Sequence, residues 1–213
     1  MKKQLIITFT AAASLLSLPV KADDDLNKWN GFYGGVNVGH ASGTNHADRL
    51  TGGEGSFNHI SGGFGGAQIG YNFQADRIVY GLEADIQKSD ISGEAAVNSY
   101  ELYRSQKIDW FGTVRGRFGY TFGNFLLYGT GGLAIADVKA NITSTFFEDK
   151  QTQHGWTAGV GTEWAFDKNW ILDAQYLRIS LDKKDFHFND SINLTNQNYS
   201  DFNVFKIGIN YKF

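Results

Sequence analysis

The chain has 213 residues, 15% of them aromatic and 19% charged, with 26 glycines, one proline, no cysteine and a formal net charge of −3. One domain is expected, large enough to close a single barrel or sandwich. The lack of cysteine excludes a disulfide framework, thiol chemistry and a Cys-ligated metal, and the small charge without a basic cluster argues against nucleic acid as a partner.

Residues 1–22 read as a signal peptide. Lys2 and Lys3 give a positive start, residues 5–18 an apolar run, and Val20, Lys21 and Ala22 a small-residue cleavage pattern before Asp23, Asp24 and Asp25. The run is shorter than the roughly 20 residues a membrane-spanning helix needs. Pro19, the one proline, lies in this leader, so residues 23–213 hold no residue that lacks a ladder donor.

From there the chain alternates between two-residue periodicity and polar connections. Residues 29–40 place Phe32, Gly34, Val36 and Val38 on one face, and residues 41–61 are a Gly-, Ser-, Thr- and Asn-rich loop, long for a hairpin. Residues 63–73 and 78–87 alternate again, joined by a short turn at 74–77. A second polar loop spans 88–106, then a fourth strand spans 107–120. Gly123 and Asn124 supply a hairpin turn into residues 125–136, where Leu127, Gly129, Gly131, Leu133 and Ile135 share one face. A third loop at 137–153 precedes a strand at 155–166, a turn at 167–169, a strand at 170–178 and a fourth loop at 180–201. Residues 203–213 close the series, with Phe205, Ile207, Ile209, Tyr211 and Phe213 on one parity. An edge so apolar must be paired, most simply with the first strand.

The pattern predicts an all-β fold: an eight-stranded antiparallel up-and-down transmembrane β-barrel over residues 23–213, with three short periplasmic turns and four long extracellular loops. Alternation alone also fits a soluble barrel with its apolar parity inward. The second parity decides between them, because it is dominated by glycines such as Gly35, Gly66, Gly70, Gly81, Gly119, Gly159 and Gly161, which suit a crowded interior better than a solvated face. Its charges come in both signs, Glu83, Asp85 and Glu163 against Arg115, Arg117 and Lys206, so they are expected to pair inside the barrel. Trp110, Trp156, Trp164, Trp170, Tyr71, Tyr176, Tyr211, Phe73 and Phe213 fall toward strand ends on the apolar face, as interfacial girdles do.

The blocks WNGFYGGVNVG (29–39), VYGLEAD (79–85), VRGRFGY (114–120), LYGTGGLA (127–134) and GWTAGVG (155–161) resemble the opacity-type small outer-membrane proteins of the alphaproteobacterial surface-antigen and haemin-binding group, eight-stranded and similar to the OmpA transmembrane domain. The resemblance covers essentially the whole chain after the leader. It implies an outer-membrane location, a lipid surround, and recognition of the closing strand and its aromatic end, Phe213, by the barrel-assembly machinery. It is specific for the barrel and says little about the loops, where members differ.

All five histidines, His40, His46, His59, His154 and His187, fall in the expected loops or at their margins. Polar residues belong there in any case; the haemin-binding members make them candidate haem ligands through neutral imidazole, although their spacing matches no ligand motif. No other cofactor and no metal is implied. Hydrolysis at the rim would need a nucleophile, a base and an acid. Ser42, His40 and Asp48, or His154 with Glu148, are the residues available, no motif fixes their geometry, and a non-enzyme is expected. Eight strands leave a bore that side chains fill, here Tyr33, Gln68, Arg115, Arg117, Tyr128 and Glu163, so narrow or no conductance is expected. The reading is a structural scaffold whose loops carry any binding: surface antigen, adhesion to host surface components, or haemin capture.

Overall fold

Strands with one apolar face must find partners along both edges, and the computed structural model shows how they do. It describes residues 28–47, 58–97, 102–142, 148–182, 184–187 and 195–213; the expected leader lies outside the described residues. The strands are β1 (Gly31–Ala47), β2 (Asn58–Ala75), β3 (Ile78–Val97), β4 (Leu102–Phe122), β5 (Phe125–Ile142), β6 (Glu148–Ala165), β7 (Trp170–Leu181), β8 (Lys184–His187) and β9 (Thr195–Lys212). Each pairs antiparallel with its neighbour in chain order, except that β7 passes to β9 while the short β8 lies against β9 alone. Pairing of β1 with β9 closes the sheet into an eight-stranded barrel. The Phe213 amide donates to the Phe32 carbonyl at 3.0 Å, and its ring packs against Phe32 and Tyr211. No helix among the described residues is long and apolar enough to cross a membrane; the strands do so instead.

Short turns join β2 to β3, β4 to β5 and β6 to β7. Asp76 and Gly123 take φ of 53° and 60° at the first residue of their two-residue turns, a region open to glycine and tolerated by aspartate.

At the opposite end the strands run well beyond their expected limits. Residues expected as loop at 41–47, 88–97, 102–106, 137–142, 148–153 and 195–201 are ladder. The reason lies in the burial. Inside the bilayer zone, apolar residues face out, as Val36, Leu82, Val114, Leu133 and Ile207 do, and polar ones face in. Further along the same strands the polarity inverts: Lys88, Asp90, Lys107, Arg178 and Thr44 face out, while Ile60, Phe64, Ile91, Phe111, Ile179, Phe202 and Val204 are buried within the bore. Leu133 is 72% exposed and Phe202 is 1% exposed. An outward polar residue thus marks the end of the lipid, not the end of the strand.

The bore therefore has three storeys. Trp29, Val79, Leu126, Tyr128, Ala165 and Ile171 form an apolar cluster at the turn end. Trp29 precedes β1 and tucks inside, its amide donating to Gln74 at 2.9 Å. A polar layer follows, and the larger apolar cluster fills the loop end.

Candidate functional site

The middle storey is where the expected interior charges meet. Glu83 on β3 and Arg115 on β4 are direct cross-strand partners, and β4 places Arg117 one pleat away on the same face. The Arg115 guanidinium donates to Glu83, to Asp85 at 2.7 Å and to Gln175 at 2.7 Å. Arg117 donates to Glu163 at 2.7 Å, to Glu83 at 3.2 Å and to the Tyr33 hydroxyl at 2.7 Å. Its guanidinium also lies over the Tyr128 ring, 3.9 Å from the centroid. Five of the six charges expected inside, Glu83, Asp85, Arg115, Arg117 and Glu163, thus belong to one buried cluster, and the sixth, Lys206, joins them.

Three further groups complete it. Lys206 on β9 reaches Asp85 at 3.0 Å and Gln68 at 3.0 Å. Asp173 on β7 accepts from the Tyr128 hydroxyl at 2.8 Å and from Gln175 at 3.0 Å. Tyr33 donates to Glu83 at 2.7 Å. Asp173 stands directly across from Glu163 in the β6–β7 register. Two carboxylates so placed repel; Arg117 on one and Tyr128 with Gln175 on the other hold them. Asp173 sits on the inward parity of its strand, so the alternation between Ile171 and Gln175 was the signal that could have added it.

The two tyrosine rings need room along the inner wall, and glycine provides it. A Cβ on Gly70 would overlap the Tyr33 ring, and a Cβ on Gly161 would overlap the Tyr128 ring. At these two positions glycine is the footprint of a ring lying flat on the neighbouring strand, since Tyr33 faces Gly70 and Tyr128 faces Gly161 in register. Four carboxylates, Glu83, Asp85, Glu163 and Asp173, face three cations, Arg115, Arg117 and Lys206, and every one is buried. Such a cluster can hold the wall together by charge-assisted hydrogen bonds. It offers no open face to a substrate.

The aromatic girdle at the turn end is built from four ring chains. Tyr71, Phe73 and Tyr80 form one ring chain, Tyr120 and Phe122 a second, Phe125, Trp164 and Phe166 a third, and Trp170, Tyr211, Phe213 and Phe32 a fourth. At the loop end Trp156 and Tyr176 are exposed and Trp110 is half-buried, its indole donating to Asp137 at 3.0 Å.

The histidines are not brought together. His40 and His59 are exposed on β1 and β2, and His154 is exposed on β6; among the described residues no group of three His, Cys, Asp or Glu could hold a metal ion. His40 pairs with Gly63, four residues from His59 along β2, a separation of roughly 13 Å at strand rise. The side chains of His46 and His187 lie outside the described residues. Of the rim residues considered for hydrolysis, Ser42 and His40 stand on β1 in exposed or half-exposed positions, while Asp48 and the Glu148 side chain lie outside the described residues.

The chain matches the model of the outer membrane protein β-barrel domain over residues 8–213. It is 37% identical over 215 residues to the 31 kDa outer-membrane immunogenic protein of Brucella melitensis biotype 1, covering 92% of this chain and 89% of that protein. It is 36% identical over 187 residues to the 22 kDa outer membrane protein of Rhizobium leguminosarum bv. viciae, covering 87% and 78% respectively. Among solved structures, Neisserial surface protein A (NspA) superposes with a TM-score of 0.52 at 15% identity, covering 86% of this chain and 98% of that one, a likeness of fold alone. The closed barrel, the inward charges and these relatives agree: the chain belongs to the outer membrane protein β-barrel domain family and is an outer-membrane surface protein.

Proposed function

We propose that the protein is a non-catalytic barrel that anchors a surface for recognition beyond the bilayer, as a surface antigen or adhesive element. The observation that supports this most is the filled bore: a polar layer of paired charges lies between two apolar clusters, which leaves the outer wall and the hairpin tips at the loop end as the ground on which a partner can act. The Brucella relative is described as immunogenic, which fits a surface displayed outside the cell. Outer-membrane lipid and the barrel-assembly machinery are the partners this reading requires.

The chain has no cysteine, so single cysteines report its topology cleanly. Ser92→Cys, on the exposed outer wall beyond the apolar band, is expected to react with a membrane-impermeant maleimide on intact cells. Asp76→Cys, at an exposed turn, is expected to react only after the outer membrane is permeabilised. The reverse pattern would overturn the orientation and the proposal with it. Haemin capture is the competing reading. It would have to draw on His46 and His187, since His40, His59 and His154 stand apart on the wall. A saturable Soret change on haem titration, lost when all five histidines become alanine, would put haemin capture in place of the antigenic or adhesive role.

A further inference from the structure

The outer wall changes chemistry abruptly across β2, β3 and β4. The outward residues are apolar up to Ala67 and Ile86; one pleat further stand Lys88 and Trp110, then Asp90 and Lys107, with Lys139 on β5 beside them. Both ladders slip at this level, between Lys88 and Ile91 on β3 and between Ile108 and Trp110 on β4. Bulges bend a strand and re-aim its side chains. Here they accompany a hollow of about 810 Å³ on the outer face, with Gly65, Ala67 and Ile86 at its apolar end and Lys88, Lys107 and Trp110 at its polar end.

One of the two lysines that line the hollow lacks a carboxylate partner among the described residues. Lys107 and Lys139 are direct cross-strand partners, an arrangement of like charges that weakens a sheet. Asp90 offsets the first at 2.9 Å and Asp109 the second at 2.9 Å. Lys88 is exposed and has no carboxylate partner among the described residues. Lys88 thus stands as an ammonium without a carboxylate at the polar end of the hollow, at the height where the apolar band ends. A small soluble anion would use the lysines and leave the apolar end idle. A lipid uses both, its acyl chain along Ala67 and Ile86 and its headgroup among the lysines, with the Trp110 indole at the boundary where tryptophans settle.

We propose that this hollow is a binding site for the phosphate-bearing headgroup of a lipid in the leaflet on the loop side, with Lys88 and Lys107 receiving the phosphate and Ala67 and Ile86 the upper part of an acyl chain. The Asp90 carboxylate holds Lys107 in place before the lipid arrives. The site lies on the membrane-facing wall, so it is independent of whatever the hairpin tips recognise.

The test is a titration of the refolded barrel in detergent micelles with diphosphorylated lipid A and with the same lipid A stripped of phosphate, counting bound lipids by native mass spectrometry. The wild type is expected to prefer the phosphorylated form, and Lys88→Gln with Lys107→Gln to bind it roughly 25-fold more weakly, at about fivefold per lysine near an anionic surface. Lys88→Gln alone, at an exposed position outside any ion pair, is expected to lose about fivefold with unchanged heat-modifiable gel mobility. Arg178→Gln, at the same height on the opposite wall and paired with Asp201 at 3.1 Å, should bind like the wild type. Equal binding of the two lipid forms, a lysine variant that keeps the preference, or an equal loss in Arg178→Gln would overturn the proposal. So would full competition by inorganic phosphate at the lipid's own concentration, which would make the hollow a simple anion site.

Discussion

The two halves of this barrel solve the same burial problem with opposite signs. In the bilayer half the wall turns Val38, Leu82, Phe118 and Ile207 outward, and the bore is packed with Arg115, Arg117, Lys206 and their carboxylates; in the loop half Phe64, Phe111, Ile179 and Phe202 are inside, and Lys88, Asp90 and Arg178 are outside. The strands continue across the boundary, with register shifts there on β3 and β4. The difference teaches that the ladder is indifferent to its solvent, and that each side chain faces whichever medium suits it. Water surrounds the upper half, so the hydrophobic effect packs its interior as in a soluble protein. Lipid surrounds the middle storey, where apolar burial gains little and paired polar groups hold the bore, with the apolar cluster around Trp29 closing it at the turn end.

The comparison can be broken most severely in the polar storey. Arg115→Ala with Arg117→Ala would leave Glu83, Asp85 and Glu163 buried without their main partners, and breaking a buried ion pair costs about 3–5 kcal/mol. The unfolding temperature on semi-native gels is expected to fall steeply, and an unchanged profile would refute the network's role. In the upper storey, Phe202→Ala should cost about 3–5 kcal/mol by opening a cavity, whereas Leu133→Ala, facing lipid or detergent, should move the gel transition little. A charge placed outward gives a smaller contrast. Leu82→Arg on the lipid face is expected to cost about 2–4 kcal/mol in bilayers, while Ser92→Arg on the same parity of the same strand should stay within about 0.5 kcal/mol. Equal costs at the two positions, measured by denaturant titration in lipid vesicles, would put the boundary elsewhere. Least affected in stability, and most in biogenesis, should be the chain lacking Phe213. Its ring and amide add few contacts beyond Phe32 and Tyr211, so once folded it should melt nearly normally, but the folded fraction recovered from cells should drop.

Most of the lower half was legible in the sequence because one medium lies on each side of the wall there. The parity of Phe205, Ile207, Ile209 and Tyr211, and the Gly123 turn, needed no tertiary information. Glu83, Asp85, Arg115, Arg117 and Glu163 were readable as a cluster because both signs share the inward parity. Strand ends were not readable. At Lys88 on β3 and Arg178 on β7 the outward parity turns polar, which mimics the onset of a loop unless Ile91 and Ile179 are noticed taking over the inward parity. The histidines were gathered only by falling in those supposed loops; on continuous strands His40, His59 and His154 occupy separate stretches of outer wall. The hollow beside Lys88 was invisible for another reason: it depends on register shifts between strands, which no single segment encodes.

The β1–β9 seam sets the order in which the barrel can form. It joins Tyr33 to Lys212 and Ala47 to Asn198, whereas the other strands mostly pair with neighbours in sequence. Eight ladders can therefore zip locally, the short one between β8 and β9 included, and the ninth must wait for contacts of maximal sequence separation, the slowest kind to make. Until then β1 and β9 each present a free edge with the lower apolar face already set outward. The productive intermediate is an open, curled sheet, and the interval before closure is when this chain most needs an escort and a membrane to receive it.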